Sequence, residues 1–367
     1  MCQGFRGGAK GFWILFLVLA AASRDVSALA ATGRARSKDS SSQTNRLLIL
    51  GLGRVGLECG LRAADADSTP CSFDQVMGTV RSSRAEEEDL GDPIVRIPFE
   101  NLEDPIKEAS HILWTIPLSK ENNETLEDVL QLLQSTNEHL AWIGMISTTG
   151  IYGNHNGAWV TEDSPLLCTR ESNADLYRSV EQRFAAMGGQ IFRCAGIYDA
   201  TRSALHTVYE AGTRPVTNER STDRNDESIT NRIHSQDIAR AIVLSMSRPT
   251  RNTFVYNLAD DEPAPRSLVL DYAADLLESI GVPLVGPPTG SPSENNAGFV
   301  KSTQRPLTKR ERRRQADRKL VSNSRMKDEL LGPSGLAFPT YREGLQAILK
   351  DPTTPWQQTQ AKRVTKT

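Results

Sequence analysis

Gly51, Gly53 and Gly56, spaced Gly-x-Gly-x-x-Gly directly after the apolar run Leu47–Leu50, are the residues best suited to chemistry in this chain. A first glycine permits a tight turn, a second lets the backbone approach a pyrophosphate, and a third allows close helix-on-strand packing. A helix opening there presents free N–H groups and the positive end of its dipole to phosphate oxygens. With Arg54 and Val55 inside the turn, the cofactor-binding set read here is Gly51, Gly53, Arg54, Val55 and Gly56. The rival reading is a turn that keeps this shape and binds nothing. The end of the second strand then selects the cofactor. An acid there suits the ribose 2′-hydroxyl of NAD, and an arginine suits the 2′-phosphate of NADP. The segment Thr79-Val-Arg81-Ser-Ser-Arg84 has no acid before Glu86. Arg81, assisted by Arg84, is therefore expected at the 2′-phosphate, with NADP preferred over NAD. Two solvated arginines opening a helix are the alternative.

Such residues work only if strands and helices bring them to one edge. The pattern from Asn45 onward is strand, helix, strand, repeated. Strands are expected at Leu47–Leu50, Phe73–Val80, Ile94–Ile97, His111–Ile116, Ala141–Ser147 and Gln190–Arg193. Helices are expected at Val55–Ala64, Glu124–Gln134 and Ala174–Met187. This alternation predicts an α/β protein with a doubly wound parallel sheet, its ligands at the carboxyl ends of the strands. Further on, helices are expected over Ser203–Gly212, from about Asn231 to Met246 with Ser235 or Asp237 as cap, and from about Ser267 to Ile280. A strand is expected at Phe254–Leu258. Pro215–Ser228 and Pro283–Asn296 read as loops.

Four segments carry a family resemblance: Trp142-Ile-Gly-Met-Ile-Ser-Thr-Thr-Gly-Ile-Tyr-Gly153, Phe192–Tyr198, Arg232-Ile-His-Ser-Gln-Asp237-Ile-Ala, and Val255–Pro263. With the closing Phe338–Leu345, they resemble the NAD(P)-dependent epimerase/dehydratase family, the extended short-chain dehydrogenases, and most closely its atypical YeeZ-like branch. The likeness spans roughly Asn45 to Leu349. It implies a Rossmann domain with a smaller C-terminal substrate lobe, a small-molecule substrate and a homodimer. It also implies a catalytic Thr148, four residues before Tyr152, while Ser147 beside it joins the cofactor-binding set. The family's Tyr-x-x-x-Lys pair is missing. One alignment puts Asn173 and Tyr177 at its two positions; the other puts Tyr177 and Glu181 there, where Glu181 would push the phenol pKa up. Thr148 with Tyr177 is the catalytic pair expected here. Tyr152, His155 and Tyr198 stand as weaker substitutes, and His234 and Asp237 are read as structural.

The whole chain sets further bounds. Of its 367 residues, 38% are hydrophobic and 24% charged, with a net charge of -2, ordinary for a folded protein without general attraction to nucleic acid or anionic lipid. Arg6 and Lys10, the apolar run Phe12–Ala22 and Ala28-Leu-Ala30 have the layout of a signal peptide, residues 1–30. Residues 31–45 are Ser- and Arg-rich, like a transit peptide. The pair predicts a plastid reached through the secretory pathway, with secretion or an endomembrane lumen as rivals and no stable membrane insertion after cleavage. Residues 46–240 are assigned to the cofactor domain, 241–350 to the lobe with one interleaved strand, and 351–367 to a tail. Cys59, Cys71, Cys168 and Cys194 lack metal-site or disulfide-framework spacing, so no metal is expected. Lys309–Lys319 holds seven basic residues in eleven positions. It reads as a solvated segment, or else as a phosphate contact; no aromatics interleave it for nucleic-acid stacking. The expected function is an atypical NADP-dependent oxidoreductase or epimerase acting on a small, sugar- or phosphate-bearing metabolite. The alternative is an impaired NADP(H)-binding sensor or scaffold.

Overall fold

The apolar runs assemble into one seven-stranded parallel sheet in the computed structural model, which describes residues 44–67, 69, 71–81, 93–119, 121, 123–170, 172–214, 229–248, 252–285 and 318–364. Its strands are β1 (Arg46–Leu50), β2 (Gln75–Val80), β3 (Ile94–Pro98) and β4 (His111–Trp114). They continue with β5 (Trp142–Thr148), β6 (Gln190–Cys194) and β7 (Val255–Leu258). The spatial order is β7-β6-β5-β4-β1-β2-β3, with every pair parallel. Strand order reverses between β1 and β4, so a crevice opens beyond their carboxyl ends.

Both faces of the sheet are covered because successive side chains on a strand point to opposite sides. Leu47 and Ile49 join a core with α1 (Arg54–Ala64). Leu48 and Leu50 join another with α2 (Glu103–Glu108), α3 (Asn123–Thr136) and α4 (Asn173–Ala186). A third cluster builds the lobe. It packs Leu205 and Val208 of α5 (Ala204–Ala211) with residues of three later helices. Before those comes α6 (Ser235–Met246), whose Ile238 and Ile242 belong to the α1 side of the sheet. The lobe helices are α7 (Arg266–Ser279), α8 (Tyr341–Lys350) and α9 (Pro355–Val364), holding Leu277, Leu345 and Trp356 in one core. The described residues fall in one compact unit, Thr44–Thr367.

The fold is the doubly wound α/β class read from sequence, with small differences of element. Arg232–His234 is a strand parallel to Gly196–Tyr198, not the start of a helix. The helix begins at Ser235, and its cap is His234, whose ring Nδ1 accepts the Gln236 N–H at 3.2 Å, rather than Ser235 or Asp237. Helix α2, six residues long with Pro105 in its first turn, is too short for its period to register in the sequence. The leader over 1–30, nearly all of the 31–45 segment, Arg84, residues 215–228 and 286–296, and Lys309 to Asp317 of the basic run lie outside the described residues. Among the described residues, no helix is long and apolar enough to cross a membrane.

Candidate active site

The chain leaves β1 through Gly51 at a φ of +99°, a left-handed conformation that favours glycine. The end of β2 holds the turn in place: Gly51 N–H donates to Thr79 Oγ1 at 2.7 Å and Leu52 N–H to the Thr79 carbonyl at 2.8 Å. The Thr115 hydroxyl, just past β4, donates to the Gly51 carbonyl. A Cβ on Gly56 would lie 2.2 Å from the Gly51 carbonyl oxygen, so helix α1 can pack here only with glycine. Gly53 differs. A Cβ there would meet nothing within 4 Å, and no acid stands in the first turn of α1. The turn therefore has a filled side, sealed by Gly56, and an open side at the helix N-terminus, where the shape and the dipole suit a diphosphate.

Arg54 reaches sideways from this turn. Its Nη1 lies 2.7 Å from Asp199 Oδ2, beyond the strand Gly196–Tyr198. Val55 packs its side chain into the adjacent core, so any contact of this residue with a phosphate falls to its backbone. Arg54 also walls a cavity of about 710 Å³ that extends into the lobe. Thr149, Gly150, Tyr198 and Tyr341 line it, with the cations Arg202, Arg232, Arg266 and Lys319. Among its described lining residues there is no carboxylate. Lys319 Nζ donates to the Gly153 carbonyl at 3.1 Å, bringing the end of the basic segment against the loop after β5. Arg81 follows β2 and is exposed.

Other candidates separate. Ser147 does not reach the turn: its hydroxyl donates to Glu181 Oε1 at 2.5 Å and is buried. Ser147 and Thr148 are adjacent on a strand, so only one of them can face the crevice. Thr148 accepts the Gly150 N–H on Oγ1 at 3.1 Å, capping the turn Thr149–Tyr152, and its own O–H proton stays available to donate. Tyr177, on α4, accepts the Leu118 N–H on its hydroxyl at 3.1 Å. No hydrogen bond joins Tyr177 to Thr148 among the described residues, and neither is among the described residues that line the cavity. Burial pushes the Tyr177 phenol above its ordinary pKa. The cause is not Glu181, whose carboxylate is neutralised by Arg193 in a buried pair at 2.8 Å. Asn173 sits exposed at the first residue of α4.

The substitutes divide the same way. Tyr152 is fully buried, donating to Asn257 Oδ1 at 2.7 Å and accepting from Arg193 Nη1 at 2.9 Å. His155 Nε2 lies 3.1 Å from the Pro165 carbonyl. Tyr198 alone of the three lines the cavity. Asp237 accepts the Ala337 and Phe338 N–H groups at 2.7 and 3.0 Å, an anchor between α6 and the approach to α8. Burial drives His234 down to a pKa of about 4, so it caps as a neutral ring at pH 7. Sequence reasoning missed Arg232, Lys319 and Tyr341 as site residues, although Arg232 and Tyr341 lie inside the segments that carried the resemblance.

With this geometry in place, the likenesses to known proteins can be stated. No protein-family model matches the sequence, and no curated protein matches it. Solved structures do. A functionally unknown conserved protein from Silicibacter pomeroyi is 28% identical, over 83% of this chain and 98% of its own, with a TM-score of 0.64. A protein from Methylobacillus flagellatus assigned as an NAD-dependent epimerase/dehydratase is 21% identical, over 84% and 98% of the two chains, with a TM-score of 0.57. A dTDP-glucose 4,6-dehydratase from Bacillus anthracis, in complex with NAD, is 15% identical over 86% and 99%, with a TM-score of 0.60. The chain shares its fold with these solved structures, among them NAD-dependent epimerase/dehydratase-type proteins.

Proposed function

We propose that the chain is an NAD(P)-dependent oxidoreductase of the epimerase/dehydratase type, acting on a small metabolite that carries phosphate or sugar groups. One observation carries this reading: Arg54 belongs both to the glycine turn and to the wall of the large cationic cavity, so a dinucleotide and a second ligand would meet there. Gly51, Gly53, Gly56 and the N-terminus of α1 would hold the diphosphate, and Arg81 a 2′-phosphate, which favours NADP. When bound, the dinucleotide supplies hydride exchange with a substrate carbon. Thr148, with its O–H proton unused, donates to the reacting oxygen. Tyr177 is protonated at neutral pH, as a phenol ordinarily is, and burial moves its pKa further up, so it serves as a hydrogen-bond donor rather than a resting base.

Calorimetric titration of the full chain with NADPH and NADH, repeated with Arg81→Ala, tests the cofactor. NADPH preference that disappears in the variant is expected; equal affinity for both would reduce Arg81 to a surface residue. Cofactor-coupled absorbance with a panel of sugars and phosphorylated sugars tests turnover. Tight NADPH binding without turnover on any of them would replace the enzyme with the sensor or scaffold. We also propose a homodimer, to be checked by sedimentation, and a plastid destination, to be checked by imaging the tagged full chain.

A further inference from the structure

We propose that the cavity takes an anion with an apolar body, a phosphate or carboxylate on a hydrocarbon frame, and that Arg202 and Arg266 hold its charge. This rests on reading the cavity as the substrate site, and it narrows that reading: the phosphate stays and the sugar goes. Arg202 and Arg266 are exposed residues of the cavity wall, and their guanidinium groups make no ion pair or hydrogen bond with a described residue. Arg202 directly precedes Ser203, the cap of α5, and Arg266 opens α7; neither helix carries an acid in its first turn. The two cations therefore stand beside the positive ends of two helix dipoles. Arg266 also repels Arg232, whose own charge is offset by Asp260 and whose guanidinium is spent on the Thr230 and Ala264 carbonyls at 2.9 and 3.0 Å. With no carboxylate among the described lining residues, the charge of Arg202 and Arg266 is left for a ligand.

The rest of the wall suits hydrocarbon, not a sugar. Ile197, Ile229, Val269, Leu270 and Leu345 line it with apolar side chains. Tyr198 and Tyr341 line it too, but their hydroxyls are buried from solvent, so what they offer a ligand is ring. The neutral polar side chains are engaged within the protein. Asn231 donates from Nδ2 to the Lys319 carbonyl at 3.0 Å and accepts the Val321 N–H on Oδ1 at 2.9 Å, which occupies both ends of the amide. Thr230 and Thr207 spend their protons on the Ala264 and Ser203 carbonyls at 3.2 and 3.3 Å. Ser203 Oγ lies 3.0 Å from His206 Nδ1. A sugar brings several hydroxyl groups, each costly to bury without partners. A hydrocarbon frame needs none and gains with every CH2 that it buries.

Calorimetric titration of the full chain, with NADPH present to fill the glycine turn, compares n-hexyl phosphate, heptanoate and glucose 6-phosphate. At least one of the two apolar anions should bind roughly tenfold or more tightly than glucose 6-phosphate, and the better of the two identifies the head group. The double variant Arg202→Gln with Arg266→Gln should weaken that anion by roughly tenfold, as expected for loss of a hydrogen bond to a charged group. Both arginines are exposed, so the thermal midpoint of the variant should match that of the wild type. Glucose 6-phosphate binding as tightly as both apolar anions, no binding of either apolar anion, or unchanged binding in the double variant overturns the proposal. NADPH is also titrated alone. Its failure to bind while an apolar anion is still selected sinks the cofactor reading and leaves this one standing; NADPH binding with neither apolar anion bound does the reverse.

Discussion

Arg54 Nη1 and Asp199 Oδ2 lie 2.7 Å apart, tying the glycine turn after β1 to the segment that leads from Tyr198 to Arg202 on the cavity wall. The Arg54 side chain is 39% exposed, so the pair is screened by water and contributes only about 0–1 kcal/mol to stability. Its consequence lies in binding. Asp199 occupies the one cation that the turn itself supplies, and a phosphate arriving at the turn competes for it.

Asp199→Asn should therefore raise NADPH affinity, by a few-fold, while the unfolding free energy changes by less than about 1 kcal/mol. Asn keeps the oxygen that accepts the Thr201 and Arg202 N–H groups at 2.8 and 3.0 Å, so the local turn survives. Titration with NADPH alongside urea unfolding reads both quantities. A fall in affinity would assign the Asp199 carboxylate to the ligand and defeat the competition argument.

Gly53 and Gly56 of the turn should respond differently to alanine. Gly56→Ala drives a methyl against the Gly51 carbonyl, backbone that cannot swing aside, and should destabilise the fold by about 1–3 kcal/mol. Gly53→Ala meets open space and should leave the thermal midpoint almost unchanged. Cofactor affinity should drop in Gly53→Ala because the methyl occupies the side where a diphosphate approaches. Equal thermal midpoints for the two variants would mean that α1 shifts to absorb the clash.

Arg193 should be the most costly single residue to remove from the sheet. It pairs with Glu181 at 2.8 Å and donates to Tyr152 at 2.9 Å, all three buried. Arg193→Met leaves the carboxylate of Glu181 without its cation, at an expected cost of about 3–5 kcal/mol. Ser147→Ala deletes only one hydrogen bond to that carboxylate, expected at about 1–3 kcal/mol. The double variant Glu181→Met with Arg193→Met should recover most of the loss. Chemical denaturation of the four proteins checks this, and a double variant no better than Arg193→Met would show that packing, not charge, dominates.

These residues also mark where reading from sequence stops. The seven strands and the glycine turn were legible because buried parallel strands are continuous apolar runs and the turn chemistry is local. The motif assigned Ser147 to the cofactor, but the pleat turns it to the face opposite Thr148, where its hydroxyl is buried against Glu181. Glu181 looked like a defective catalytic lysine because its true partner, Arg193, sits on another element. Tyr198, Asp260 and Tyr341 come from three distant segments. Each was visible within a familiar motif, but nothing local says that their oxygens are buried without partners.

Stability should peak near pH 6.5, for reasons of opposite sign. Burial lowers His111 and His234 from an ordinary 6.5 to about 4, so between those values the unfolded chain binds two protons that the fold does not. Stability from these rings is full above pH 6.5 and is lost as pH falls toward 4. Asp260 works the other way. Its pKa rises from 3.8 to about 8, so between them the fold holds a proton that the unfolded chain has released, and stability falls as pH rises. Below pH 6.5 the two rings, joined by His206, which burial also lowers, oppose Asp260 and the acids Glu58 and Asp237 that burial raises; between pH 6.5 and 8 Asp260 contributes a fall of about 1.4 kcal/mol per pH unit. Asp260→Asn mimics the protonated acid without titrating, and should flatten the limb between pH 6.5 and 8 while leaving the acid side steeper. Urea unfolding at a series of pH values measures it, and an unchanged alkaline limb in the variant would remove Asp260 as its source.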